Sequence, residues 1–163
     1  MKKLILAACL FATIYCPAQD QNSKNESAAA KLEMAMNAKI AMDIDQTIYT
    51  MNQGNTYINA DQTAGIVAMV APKSYAEMKS SLKDGKAGDM EITDRGETTL
   101  GGKNVLFMKG TKKQDDQDFT MWVYCKENDA DSCIMVNGFY ETKNEKEFKP
   151  RVDKAITSAK LVK

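Results

Sequence analysis

The run AGIVAMVAP, Ala64 to Pro72, carries no polar side chain at any position. A strand shows alternate residues to opposite faces, so a run apolar in both registers belongs inside a sheet that is covered on both sides. This chain therefore needs strands beside that run and a packing layer above and below it. Pro72, which cannot donate to a ladder, ends the strand.

The residues that follow supply one such layer. SYAEMKSSL opens with Ser74 and places Glu77 three positions later, a capping box that starts a helix with Tyr75, Met78 and Leu82 on one face. Asp84-Gly85 and Gly88 close it. The second half then reads as a meander: MEITDRGETTL, a turn at Gly101-Gly102, NVLFMKGT, a polar turn KKQDDQD over 112–118, FTMWVYC, an acidic loop, and CIMVNGFY. Each join is short enough for an antiparallel neighbour. At the end, KNEKEFKPRVDKAITSAKLV places Phe148, Val152, Ile156 and Ala159 at helical spacing. Thr142 with Glu145 reads as a preliminary turn, and Pro150 favours a main helix starting near Lys149.

Before the inner strand, TIYTM (47–51) and NTYIN (55–59) read as paired strands around Asn-Gln-Gly. AAAKLEMAMNAKIAM, Ala28 to Met42, reads as a short helix with Leu32, Met36 and Ile40 on one side and Ser27 as its cap. Its methionines read as packing. The inventory is an α+β domain: a central, mainly antiparallel β-sheet flanked by two or three α-helices.

MKKLILAACLFATIYCPAQ has the layout of a secretory signal: Lys2 and Lys3, an apolar run from Leu4 to Tyr15, and a small-residue site before Gln19. The expected organisation is a signal over 1–18, a polar lead-in over 19–30 and one domain over 31–163. Cleavage after Ala18 is favoured over lipidation at Cys16, because bulky Tyr15 stands where a lipoprotein signal has a small residue. The run is too short to be a permanent membrane span, so the mature chain is expected to have no transmembrane segment and to be periplasmic or secreted. Lys plus Arg and Asp plus Glu number 22 each, and loss of Lys2 and Lys3 leaves the mature chain weakly acidic. Nothing in that balance points to nucleic acid. Histidine is absent, which removes Ser-His and Cys-His chemistry and the commonest zinc ligand.

AGIVAMVAPKSYAEMKSSL, TLGGKNVLFMKGT, the hairpin ending in VNGFY and the closing EKEFKPRVDKAITSAKLV together resemble the PsbP-like and DcrB-like domains of envelope and thylakoid-lumen proteins, over roughly residues 45 to 163. The resemblance implies a central antiparallel sheet flanked by helices, and a binding role. Members of the family include extrinsic photosystem subunits, a periplasmic lipoprotein and a nuclear transport factor that binds a small GTPase. It implies no catalytic residue at any matching position, and no cofactor is expected of the chain. The segment Ala28 to Met42 departs from the family pattern, where a strand comes early.

With Cys9 and Cys16 lost in the signal, Cys125 and Cys133 remain, in YCKENDADSCI. If Cys125 faces Cys133, then Val123 faces Met135, Phe119 faces Phe139, Trp122 faces Val136 and Tyr124 faces Ile134. Opposed residues lie within disulfide reach, and closing a loop of about nine residues adds roughly 2.5 kcal/mol in the chain-entropy model. A disulfide clasp is the expectation and free thiols are the alternative, since the Cys-x-x-Cys spacing of a redox pair is missing. Asp129 and Asp131 are weak calcium candidates, for the loop lacks the glycine and distal glutamate of an EF-hand, and a solvated hairpin tip is the simpler reading. Trp122 and Tyr124 share one face and read as core under a helix or as the floor of a ligand groove. GGKNV lacks the spacing of a phosphate loop. The expectation is an exported, non-catalytic binding or accessory protein whose partner is an envelope protein or a small ligand. A small carboxylate-dependent hydrolase and a calcium-dependent adhesion or stability module are the alternatives.

Overall fold

The structure, a computed structural model, describes residue 35 and residues 38–85 and 90–162. The expected signal and lead-in lie outside these residues. Over residues 38–85 and 90–162, nine strands and two α-helices follow in the order β1 (Ile40–Ala41), β2 (Met51–Gln53), β3 (Thr56–Ile58), β4 (Ala64–Ala71), α1 (Tyr75–Asp84), β5 (Glu91–Leu100), β6 (Lys103–Gln114), β7 (Gln117–Asp129), β8 (Ser132–Glu141), α2 (Glu145–Ser158) and β9 (Lys160–Leu161). A seven-stranded sheet runs β2-β3-β4-β8-β7-β6-β5, antiparallel at every pairing, and β1 pairs with β9 in a separate ladder. This is the α+β sandwich expected of the sequence. No helix among the described residues is long and apolar enough to cross a membrane.

β4 lies between β3 and β8. Its Ala64, Ile66, Ala68 and Val70 join the core under α2, together with Tyr124, Val136, Tyr140, Phe148, Val152 and Ile156. Its Ala71 and Met69 face the other layer, with Met78 and Leu82 of α1 and Met108, Met121, Cys125 and Met135 of the sheet. The doubly apolar run is thus covered on both sides.

α1 begins at the expected box: the Glu77 N–H donates to Ser74 Oγ (3.3 Å), while Glu77 Oε2 accepts from the Ser74 N–H (2.8 Å). Its far end is held by Arg95 of β5, whose Nη1 donates to the carbonyls of Leu82, Lys83 and Gly85 at 3.1, 2.7 and 3.2 Å. These are carbonyls that a helix end leaves without intrahelical partners. Lys79 and Tyr75 close on Glu97, also of β5, at 2.5 and 2.9 Å.

α2 seats closely on the sheet because Gly138 of β8 has no side chain. A Cβ there would meet Val152 Cγ2 at 2.4 Å. The helix begins at Glu145, running on from a 3-10 turn at Thr142–Asn144, and Pro150 lies inside it. The expected start near Lys149 was late. Proline removes only the bond to the Lys146 carbonyl, and both residues are exposed, so water replaces it.

Other expectations need correction. Ala35 is helical and buried, but Ile40 and Ala41 are strand, opposite Leu161 and Lys160, and the rest of the expected helix up to 37, with Leu32 and Met36, lies outside the described residues. Asn55 fixes this departure: its Oδ1 accepts from the Ile40 N–H and its Nδ2 donates to the Ala38 carbonyl. Of TIYTM only Met51 is strand. Asp45 instead folds 46–48 into a turn, its carbonyl accepting from the Ile48 and Tyr49 N–H groups. KKQDDQD is mostly ladder: β6 reaches Gln114, β7 starts at Gln117, and the turn is Asp115-Asp116, both at positive φ (48° and 62°). Aspartate tolerates that left-handed geometry, which matches the twist of a two-residue hairpin.

Gly138→Ala is expected to lower stability by about 1–3 kcal/mol through overpacking against Val152. Denaturant unfolding checks this, and the double variant Gly138→Ala/Val152→Ala should recover part of the loss if the clash is the cause.

Candidate functional site: an aromatic ledge beside the second helix

β7 sends Trp122 and Tyr124 to the α2 face, where their rings stack at 5.3 Å and 17°. Tyr124 is fully buried and Trp122 half-buried. Register places Phe107 of β6 opposite Tyr124 and Lys109 opposite Trp122, and the Phe107 and Trp122 centroids are 5.9 Å apart. On the other side of Phe107 stands Gly96 of β5, its cross-strand partner, which leaves that side of the ring without a covering side chain. α2 packs on β8, β7 and β4, so Phe107 and the edge of Trp122 form a ledge beside it.

The polar tips of the rings are satisfied inward. Trp122 Nε1 donates to Tyr140 Oη at 2.8 Å, and Tyr124 Oη donates to Asp153 Oδ1 at 2.8 Å. Burial, then the carboxylate of Asp153, pushes the Tyr124 phenol well above its usual range, so it stays a donor. Asp153 also receives Lys149 Nζ at 2.7 and 2.6 Å, which sets that ammonium 4.4 Å from the Trp122 centroid. Lys109 Nζ, 2.9 Å from Glu145, lies 5.2 Å from the same ring. Each such contact contributes about 0.5–1 kcal/mol at a partly exposed site. A rigid aromatic surface rimmed by ion-paired lysines can hold a flat apolar group.

At the far end of this face Lys126 is 6% exposed, and its Nζ lies 3.4 Å from the Thr157 carbonyl near the end of α2. Burial, with repulsion from Lys103, holds its pKa below the usual lysine range.

The cysteines are not placed as expected. Cys125 pairs with Met135 and Cys133 with Glu127, a register two residues away from direct opposition, because β7 continues to Asp129 and the hairpin turns at Ala130-Asp131. The loop that a clasp would close is therefore ladder. Both thiols are free, buried, and diagonal to one another on the α1 face. The adjacent Cys133 thiol and burial both push Cys125 up. Asp129 builds the turn: its Oδ1 accepts from the Asp131 N–H (3.0 Å) and Ser132 Oγ (2.7 Å), its Oδ2 from Asn128 Nδ2 (2.8 Å). The Ser132 hydroxyl and the Asp131 N–H hold its carboxyl below the usual range. Among the described residues no group of three or more His, Cys, Asp or Glu side chains could hold a metal ion.

No protein-family model and no curated protein matches the chain. Among solved structures it is similar to LpqN of Mycobacterium tuberculosis, described as involved in cell envelope biogenesis, at 12% identity and a TM-score of 0.49 over 77% of this chain and 84% of that one. It is also similar to PsbP of the cyanobacterium Synechocystis sp. PCC 6803, at 8% identity and a TM-score of 0.43 over 77% and 94%.

Lys126→Met is expected to raise Tm at pH 7 by roughly 2–4 °C, equivalent to about 1 kcal/mol in a chain of this length. Because the folded-state pKa lies below that of the unfolded chain, the native state releases its proton first as pH rises. The penalty is full at neutral pH and fades toward the ordinary lysine value of about 10.4, so the gain should shrink there. Thermal unfolding at pH 7 and pH ~10 checks both halves.

Proposed function

We propose that the chain is an exported accessory protein of the bacterial cell envelope, acting by binding a protein or small ligand and not by catalysis. One observation carries the binding reading: the ledge of Phe107 and Trp122, with Lys109 and Lys149 at its rim and Gly96 leaving Phe107 uncovered. Its polar atoms already have partners in the fold, and both lysines are ion-paired, Lys109 with Glu145 and Lys149 with Asp153, so what it offers a visitor is ring surface. Export is read from Lys2, Lys3 and the apolar run that follows them. The partner this surface suits presents a flat apolar or aromatic group.

The test is retention of envelope proteins by the mature chain, compared with Phe107→Glu, which puts an unpaired carboxylate on the ledge while keeping an exposed-side position. A species retained by the wild type and lost from the variant is expected, together with a shift in emission of Trp122, the chain's single tryptophan. Equal retention by both proteins would sink the proposal.

In an oxidising compartment the same reading extends to Cys125 and Cys133. They would join diagonally, losing two protons and two electrons to an incoming protein disulfide by exchange. Diagonal neighbours lie about 7–8 Å apart, beyond the usual disulfide span, so the ladder must draw in and the bond should reduce easily. Intact mass of protein purified from the envelope, with and without reductant, is expected to differ by ~2 Da, the two hydrogens lost in that exchange. Recovery of both thiols by alkylation without reductant overturns the cross-link.

A further inference from the structure

On the opposite flank of α2 from the ledge, the irregular segment 43–49 and the helix enclose a pocket of about 190 Å³ whose lining includes Asp43, Asp45, Tyr49, Ile66, Arg151 and Lys154. Two donors in it have no partner. Tyr49 is 1% exposed and its hydroxyl makes no hydrogen bond, and Arg151 Nε is buried and likewise unpaired. The rest of that guanidinium is engaged, Nη1 donating to the Glu147 carbonyl at 2.6 Å and Nη2 standing 3.7 Å from the Glu147 carboxylate. An unpaired buried donor costs about 1–3 kcal/mol, and native structures keep few.

The carboxylates of the pocket do not bond these donors. Asp43 is paired with Lys154 at 2.9 Å, and Asp45 Oδ1 accepts from the Thr47 N–H at 3.1 Å and its hydroxyl at 2.6 Å. The missing group is therefore an acceptor. Burial pushes the Tyr49 phenol far above its usual range, so it remains an O–H donor at any physiological pH. The volume is several times the ~30 Å³ share of one water, and Ile44 and Ile66 give the remaining space an apolar wall.

We propose that this pocket binds a small carboxylate of amino-acid size, its oxygens received by Tyr49 Oη and Arg151 Nε. The four charges of the lining, Asp43, Asp45, Arg151 and Lys154, balance, and Glu147 beside Arg151 adds a negative one, so a ligand that brings a cation with its carboxylate is favoured over a simple anion. A free amino acid meets that condition, its ammonium turned toward the aspartates. Entry is from the side of segment 43–49, which is irregular apart from the turn at 46–48 and has to move outward for a ligand to reach the two donors, since both atoms are buried. None of these residues belongs to the ledge.

The experiment is protein-observed NMR on the intact mature chain titrated with L-alanine and, separately, with acetate. Saturable shifts centred on residues 43–49 and 151–154 are expected with alanine, and weaker ones with acetate. Tyr49→Phe should weaken binding tenfold or more while leaving Tm unchanged or raised, since it deletes an unpaired buried hydroxyl. Arg151→Lys, which keeps the charge but lacks Nε, gives a second variant with the same expectation. No saturable shift with either probe at tens of millimolar, or undiminished binding by a folded Tyr49→Phe, overturns the proposal.

Discussion

The contact on which this structure turns is the seating of Val152 in the space left by Gly138. A helix normally stands off a sheet by the length of the intervening side chains. Here one residue of β8 contributes none, and α2 sinks until its valine methyls would lie 2.4 and 2.5 Å from a Cβ placed there. That depth sets what the neighbouring positions of the helix can reach. Lys149 and Asp153, one helical turn apart, come down on Trp122 and Tyr124 of β7. Arg151 and Lys154, rotated to the other flank, come down on Tyr49 and Asp43. Ledge and pocket are the two shoulders of one close helix-sheet contact.

The two faces of the sheet are packed with different chemistry, and the difference follows from what covers them. α1 has only 10 residues and leaves an irregular surface, filled by Met69, Met78, Met90, Met108, Met121 and Met135 with the two cysteines. Methionine adapts to such gaps and needs no partner. The longer α2 covers Tyr49, Tyr124, Tyr140 and Phe148, and every buried phenol there raises the question of a hydrogen bond. Tyr124 and Tyr140 have theirs and Tyr49 does not. Recognition chemistry therefore concentrates under α2, where polar tips on apolar bodies must be satisfied by someone.

Periodicity made most of the fold legible: the doubly covered β4, the capped α1, the meander and the apolar stripe of α2 all stand where spacing puts them. What failed was counting through polar segments. Treating KKQDDQD and KENDADS as loops ends strands where hydrophobicity ends, yet a ladder continues as a two-stranded ribbon past the edge of the core, because its backbone bonds need no apolar cover. Taking Asp115-Asp116 as a two-residue turn gives Gln114 opposite Gln117, and hence Phe107 opposite Tyr124 and Lys109 opposite Trp122. The ledge could have been found from that count. The Cys125 register could not, because the bulge beside Asn128 and the turn built by Asp129 depend on side-chain hydrogen bonds that no spacing rule expresses. The pocket was likewise hidden, since Tyr49 sits in a segment that reads as strand and Arg151 on a helix face that reads as solvent.

A continuous row of rings joins the two shoulders. Tyr49 meets Phe148 edge-on at 6.3 Å, Phe148 stacks on Tyr140 at 6.3 Å, and Tyr140 Oη receives Trp122 Nε1 at 2.8 Å. Protein interiors are packed to crystal density, so a ring in such a row cannot move without displacing its neighbours. Phe148 is 6% exposed and touches Tyr49 on one side and Tyr140 on the other. The pocket and the ledge are consequently not separate packing problems: the aromatic that closes the inner wall around Tyr49 also sets the position of Tyr140, and Tyr140 sets how far the indole of Trp122 stands out from the sheet.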